Sequence, residues 1–175
     1  RFNERLHLDG PTLEDAEWVA AFAAVERARG DISLTYFEFT TLAAFRLAAR
    51  ARPHTALLEV GLGGRLDTVN LVDGDLFVIT PIGLDHQQWL GPDRESIGVE
   101  KAGVLRAGRP LVLSETRPPA SVLSIANELA CETFLAGKNY RLGRRGAELE
   151  FRFGSLQLRW PADRLPRMLP LDGAH

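Results

Sequence analysis

Trp18, Phe22 and Val25 recur at helical spacing behind Thr12 and Asp15 and ahead of Gly30, which predicts an amphipathic helix over about residues 13 to 29. Thr35 opens a second helix reaching about Arg50, with Phe39, Leu42, Ala43 and Phe45 along one side and Pro53 beyond its end. Two short apolar runs follow, Ala56 to Val60 and Leu76 to Thr80, whose unbroken hydrophobicity predicts strands covered on both faces, as in a parallel sheet. Further along, residues 93 to 105 and 119 to 130 read as helices, and residues 110 to 114 and 132 to 136 as strands. In Glu148 to Trp160 the period changes to two: Leu149, Phe151 and Phe153 alternate with polar residues, Gly154-Ser155 supplies a turn, and Leu156, Leu158 and Trp160 resume the alternation as a β-hairpin. Together these elements predict an α/β domain, a mostly parallel sheet flanked by helices with an added β-hairpin.

Open parallel sheets bind ligands beyond the carboxyl ends of their strands, so the loops after the two apolar runs are where chemistry is expected. Glu59 lies inside the first run, where a covered carboxylate needs either a cationic partner or a metal. Gly61, Gly63 and Gly64 follow at once, then Arg65 and Asp67, so that backbone could approach a ligand closely or simply make a tight turn. After the second run Asp85-His86 offers a carboxylate and an imidazole, either as cation ligands or as a cap beside a polar loop histidine. Lys101 stands on a predicted helix leaving the same edge, where lysine is ordinarily a solvated side chain.

Composition narrows the classes. The 175 residues carry 21 basic and 23 acidic side chains for a net charge of -2, which leaves no basic footprint for nucleic acid or an anionic membrane. No apolar run reaches the roughly 18 residues of a membrane helix. Cys131 is the sole cysteine, which rules out an internal disulfide and a cysteine-based zinc site. Only Lys101 and Lys138 are lysine among the 21 basic residues, so each is a candidate for a role requiring a primary amine. No Walker-type phosphate loop occurs, since Gly137-Lys138 is followed by Asn139, not Ser or Thr. No Gly-x-Ser-x-Gly nucleophile turn occurs either.

Arg1 to Arg5, Leu34 to Glu38, Leu58 to Asn70, Gly83 to His86 and Glu100 to Val104 fall in an order and spacing that resembles folylpolyglutamate synthase/dihydrofolate synthase, of the Mur ligase superfamily. The resemblance covers about residues 1 to 115 and continues more loosely through the hairpin region, residues 139 to 160, to Gly173-Ala174-His175. It implies a partial central ATP-dependent ligase domain over residues 1 to 175, with the phosphate loop upstream and a C-terminal domain beyond. The implied reaction joins L-glutamate to dihydropteroate or a reduced folate through an acyl phosphate formed with ATP and magnesium, two ions being expected. By position, Glu59 and His86 resemble magnesium ligands, and Lys101 resembles a lysine that CO2 converts to a carbamate, itself a metal ligand; these three are the expected catalytic residues. Gly61, Gly63 and Gly64 are expected to bind the cofactor, and Thr35, Phe37 and Asp67 the pterin. The expected partners are small molecules only, with no nucleic acid or membrane, for a cytoplasmic monomer. The alternatives are a non-catalytic remnant that binds a pterin or metal, and another Mur-type amino-acid ligase.

Overall fold

Hydrogen-bond capping and apolar stripes account for the helices. In the computed structural model, which describes residues 6–8 and 13–161, α1 spans Asp15–Arg29 and α2 spans Tyr36–Ala51. Thr12, expected to precede α1 as its cap, lies outside the described residues; Glu14 takes that place, its amide donating to the Glu17 carboxylate at 3.2 Å. Trp18, Ala21 and Val25 of α1 are buried with Ala43 and Leu47 of α2, and Phe22 stacks on Phe39 at 5.6 Å between ring centroids. These helices belong to a first compact unit, residues 1–62 with 66–71; a second comprises residues 63–65 and 72–175. No helix among the described residues is long and apolar enough to cross a membrane.

The second unit holds a parallel sheet whose strands Phe77–Ile79 (β1), Leu111–Leu113 (β2) and Thr133–Leu135 (β3) lie in chain order. The crossover from β1 to β2 contains a one-turn helix, Gln87–Leu90 (α3), and Arg94–Ala102 (α4); Ala120–Glu128 (α5) links β2 to β3. Ile79, Ile82, Ile97, Leu111, Leu113 and Val122 form the centre of its core. The two crossover helices approach closely because Gly98 of α4 has no side chain: a Cβ there would lie 2.9 Å from Ser121 Oγ and 3.0 Å from Val122 Cγ2. From α4, the Glu95 carboxylate accepts from the Ala120 and Ser121 amides that open α5. Those bonds, the Ser121 amide foremost, hold the Glu95 carboxyl below its ordinary range.

Two expectations need correction. The hairpin is the second half of a three-stranded antiparallel sheet, Tyr140–Arg145 (β4), Glu148–Phe153 (β5) and Leu156–Pro161 (β6). Gly146-Ala147 turns β4 into β5 as Gly154-Ser155 turns β5 into β6, each with a glycine at positive φ in the first turn position. The Tyr140 hydroxyl donates to the Leu113 carbonyl and Phe134 meets Phe153 edge-on, which ties the antiparallel sheet to the parallel one.

The second correction concerns Ala56 to Val60, which is not a strand. Its residues have no regular structure, Ala56 to Glu59 are exposed, and Leu57 is 94% accessible. A strand exists only through its ladder. No backbone amide of residues 56 to 60 donates a hydrogen bond among the described residues.

Candidate functional site

In the first unit, the Asp67 carboxylate organises the start of the glycine-rich loop. Its Oδ2 accepts from the amides of Gly61 (3.0 Å) and Leu62 (3.1 Å), and its Oδ1 accepts from Val69 (2.8 Å). The Asn70 amide donates to the Asp67 carbonyl at 3.0 Å, opening a short 3-10 turn over Thr68–Leu71. An aspartate serves here because its short carboxylate bonds local backbone without leaving the turn. Phe37 closes the other side. A Cβ on Gly61 would stand 3.2 Å from both Asp67 Oδ2 and Phe37 Cζ, so only glycine fits without displacement. The structure therefore brings Phe37, Gly61 and Asp67 together.

Thr35 caps α2, its hydroxyl accepting from the Glu38 amide and donating to Glu38 Oε2 at 2.7 Å. The Thr35 amide, bonded to the same carboxylate, is the chief reason the Glu38 carboxyl lies below its ordinary range. Phe37 follows in the first turn of the helix. Glu59 is exposed and forms no ion pair among the described residues, so the burial that would have forced a partner on it is absent.

In the second unit, Gly63, Gly64 and Arg65 are latched to the end of α4. Gly63 sits at φ 67°, and a Cβ on Gly64 would lie 2.8 Å from the Glu100 carbonyl and 3.0 Å from that of Lys101. The Arg65 amide donates to the Glu100 carbonyl at 3.0 Å, while its guanidinium pairs with the Glu100 carboxylate at 2.9 Å. Gly103 admits the Arg65 side chain, since a Cβ there would overlap Arg65 Cβ. The amides of Gly63 and Gly64 donate no hydrogen bond among the described residues.

His86 is exposed and occupies the position before α3 at φ 52°; its Nε2 is 3.6 Å from Asp85 Oδ2. Its carbonyl accepts from the Trp89 and Leu90 amides. Lys101 lies in the last turn of α4, half-buried, and has no salt-bridge partner among the described residues; the adjacent Glu100 pairs with Arg65. Among the described residues no group of three or more His, Cys, Asp or Glu side chains forms a metal site. Glu59 falls in the first unit, His86 and Lys101 in the second.

Three features escape sequence reading. Glu95 and Glu100 are fixed by partners 26 and 35 residues away, and Arg94 with Glu115 brackets the loop before His86. Arg94 follows a legible cap, Asp93, whose carboxylate accepts from the Ser96 amide, but no spacing rule links Arg94 to Glu115.

No protein-family model matches the chain. It is 47% identical over 151 residues to the dihydrofolate synthase/folylpolyglutamate synthase of Escherichia coli K12, an alignment covering 86% of this chain and 34% of that protein. Among solved structures, E. coli FolC in complex with DHPP and ADP matches at 43% identity with a TM-score of 0.85, covering 90% of this chain and 38% of that one. The bifunctional folylpolyglutamate synthase/dihydrofolate synthase of Yersinia pestis, complexed with AMPPNP and a Mn ion, matches at 46% identity and a TM-score of 0.83, again over 90% and 38% of the two chains. The chain thus spans about a third of the length of the curated relatives it matches.

Proposed function

Since the chain belongs to the dihydrofolate synthase/folylpolyglutamate synthase family, spanning about a third of the length of its relatives, we propose that it is part of the central domain of an ATP-dependent ligase joining L-glutamate to dihydropteroate or a reduced folate. The observation that carries this reading is the match to a FolC structure whose complex holds both DHPP and ADP.

The reaction class asks for groups that hold a pterin and groups that meet a nucleotide's phosphates. Phe37 offers an aromatic face, and Asp67 a carboxylate for the amino-pyrimidine edge. Three amides already occupy Asp67; a carboxylate has about four acceptor sites, so one on Oδ1 remains for the substrate. Asp67 therefore builds the loop as well as reading the ring. Thr35, committed to Glu38, fixes the turn that presents Phe37.

On the second unit, the Gly63 and Gly64 amides, which donate to nothing among the described residues, suit phosphate oxygens, as successive backbone N–H groups do elsewhere. Gly61 contributes by letting Phe37 and Asp67 approach. The donor chemistry of Glu59, His86 and Lys101 suits magnesium: a carboxylate, an imidazole, and an amine with no salt bridge among the described residues, whose neutral form attacks CO2 and loses a proton to become an anionic carbamate. Bound magnesium, two ions in this reading, would neutralise charge on the transferring phosphoryl group. Glutamate's amine then displaces phosphate from the acyl phosphate to form the amide. In this reading the enzyme is a cytoplasmic monomer acting on small molecules.

The test is ADP release by the natural gene product that contains this chain. Release is expected only when L-glutamate and dihydropteroate or a reduced folate are both present; equal turnover without the pterin overturns the reading. Lys101→Ala should lower kcat on the order of 10²–10³-fold, the scale of losing one preorganised electrostatic group, with partial rescue by a short carboxylic acid. Lys101→Arg should be equally impaired, because a guanidinium forms no carbamate.

A further inference from the structure

The loop after β1 runs from Thr80 to His86, and its second half has little to lean on. Leu84, Asp85 and His86 are exposed, and a Cβ on Gly83 would meet nothing within 4 Å. Its fixed point is Ile82. The Ile82 side chain is 4% exposed within the core, and both of its backbone polar groups are held by one ion pair. Its amide donates to Glu115 Oε1 at 3.2 Å, and its carbonyl accepts from Arg94 Nε at 2.8 Å. Arg94 Nη2 completes the ring by pairing with Glu115 Oε2, and also donates to the Arg117 carbonyl at 3.2 Å.

This use of Arg94 runs against local preference. It is the first residue of α4, where the helix dipole disfavours a cation. The guanidinium donates from two nitrogens fixed in one plane, Nε to the Ile82 carbonyl and Nη2 to the Glu115 carboxylate, whereas the donors of a lysine all sit on one nitrogen and do not span the two acceptors in the same way. Downstream, Leu90 packs against the same core. His86, whose carbonyl accepts from the Trp89 and Leu90 amides, thus lies between the two residues anchored in the core, Ile82 and Leu90.

We propose that Arg94 and Glu115 are positioning residues that bracket Ile82 and thereby set His86 for a divalent cation. The inference rests on the reading of His86 as a ligand, and it is tested on the full natural gene product with Mn2+ as the probe. Arg94→Lys and Glu115→Gln should each speed hydrogen exchange at the Ile82 amide while leaving Ser114, whose amide bonds Ile79 in the sheet, protected. Mn2+ affinity, read by electron paramagnetic resonance, should weaken about 10-fold, the usual cost of losing a group that orients a ligand, with KM for glutamate unchanged. In a His86→Ala background the same substitutions should cost nothing further, since the bracket acts through His86.

Unchanged Ile82 exchange overturns the proposal. So does faster exchange with unchanged Mn2+ affinity, an equal loss in the His86→Ala background, or Mn2+ binding indifferent to His86. A wild-type protein that binds Mn2+ through His86 yet releases no ADP would overturn the ligase reading and leave the bracket standing.

Discussion

Ala56 to Val60 and Leu76 to Thr80 read alike as short apolar runs, each leading into a loop with candidate chemistry, and they end in opposite states. The second is a strand because β2 lies alongside it: the Phe77 amide donates to the Pro110 carbonyl, and the Ser114 amide to that of Ile79. The first has no such neighbour among the described residues and remains exposed without regular structure. Apolar composition states what a segment needs to bury; a ladder partner decides whether it becomes a strand.

The contrast can be broken by mutation, most severely in β2. Leu111, fully buried opposite Phe77, should cost about 2–5 kcal/mol when truncated to Ala, measured by denaturant unfolding; a loss below about 1 kcal/mol would mean that the β1–β2 pairing is not what stabilises this region. Gly64, four residues past the unpaired run, packs against the end of α4. Gly64→Ala, with its Cβ against two backbone carbonyls, should destabilise the second unit by about 1–3 kcal/mol in the same experiment.

Acid sharpens the contrast between the two segments' surroundings. The depressed Glu95 carboxyl stabilises the folded state fully above its ordinary value of 4.5 and loses that contribution as pH falls through the lower folded value. Thermal unfolding of wild type should therefore drop toward that of Glu95→Gln below about pH 4.5, and the gap should be constant from about pH 6 to 8. The smallest effect belongs to the unpaired run. Leu57→Ala should change stability by less than about 0.5 kcal/mol, and amides 56 to 60 should exchange far faster than Ser114.

Much of the fold is legible because its signals are local. The caps at Thr35 and Asp93, the stripe Trp18–Val25 and the alternation after Glu148 each declare an element within one or two turns. Strand β4 is missed because Gly143 and the arginines at 141, 144 and 145 leave little apolar alternation between Tyr140 and Arg145. In the candidate site, the glycines and Asp67 are readable as a loop, but the division of labour is not. Asp67 spends three acceptances on amides up to six residues away, and Gly64 is explained by an α4 carbonyl 36 positions along the chain. The Arg94–Glu115 bracket leaves no trace in spacing, because it joins residues that only the β1–β2 crossover brings together.

The order of strands in the parallel sheet has a kinetic side. Because β1, β2 and β3 pair in the sequence in which they are synthesised, each new strand docks on one already made, and no later segment must insert between them. At about 5–20 residues per second of synthesis, helices and short crossovers form well before the next strand emerges. This part of the molecule can assemble as it leaves the ribosome, each βα step limited by translation and not by a search for distant partners.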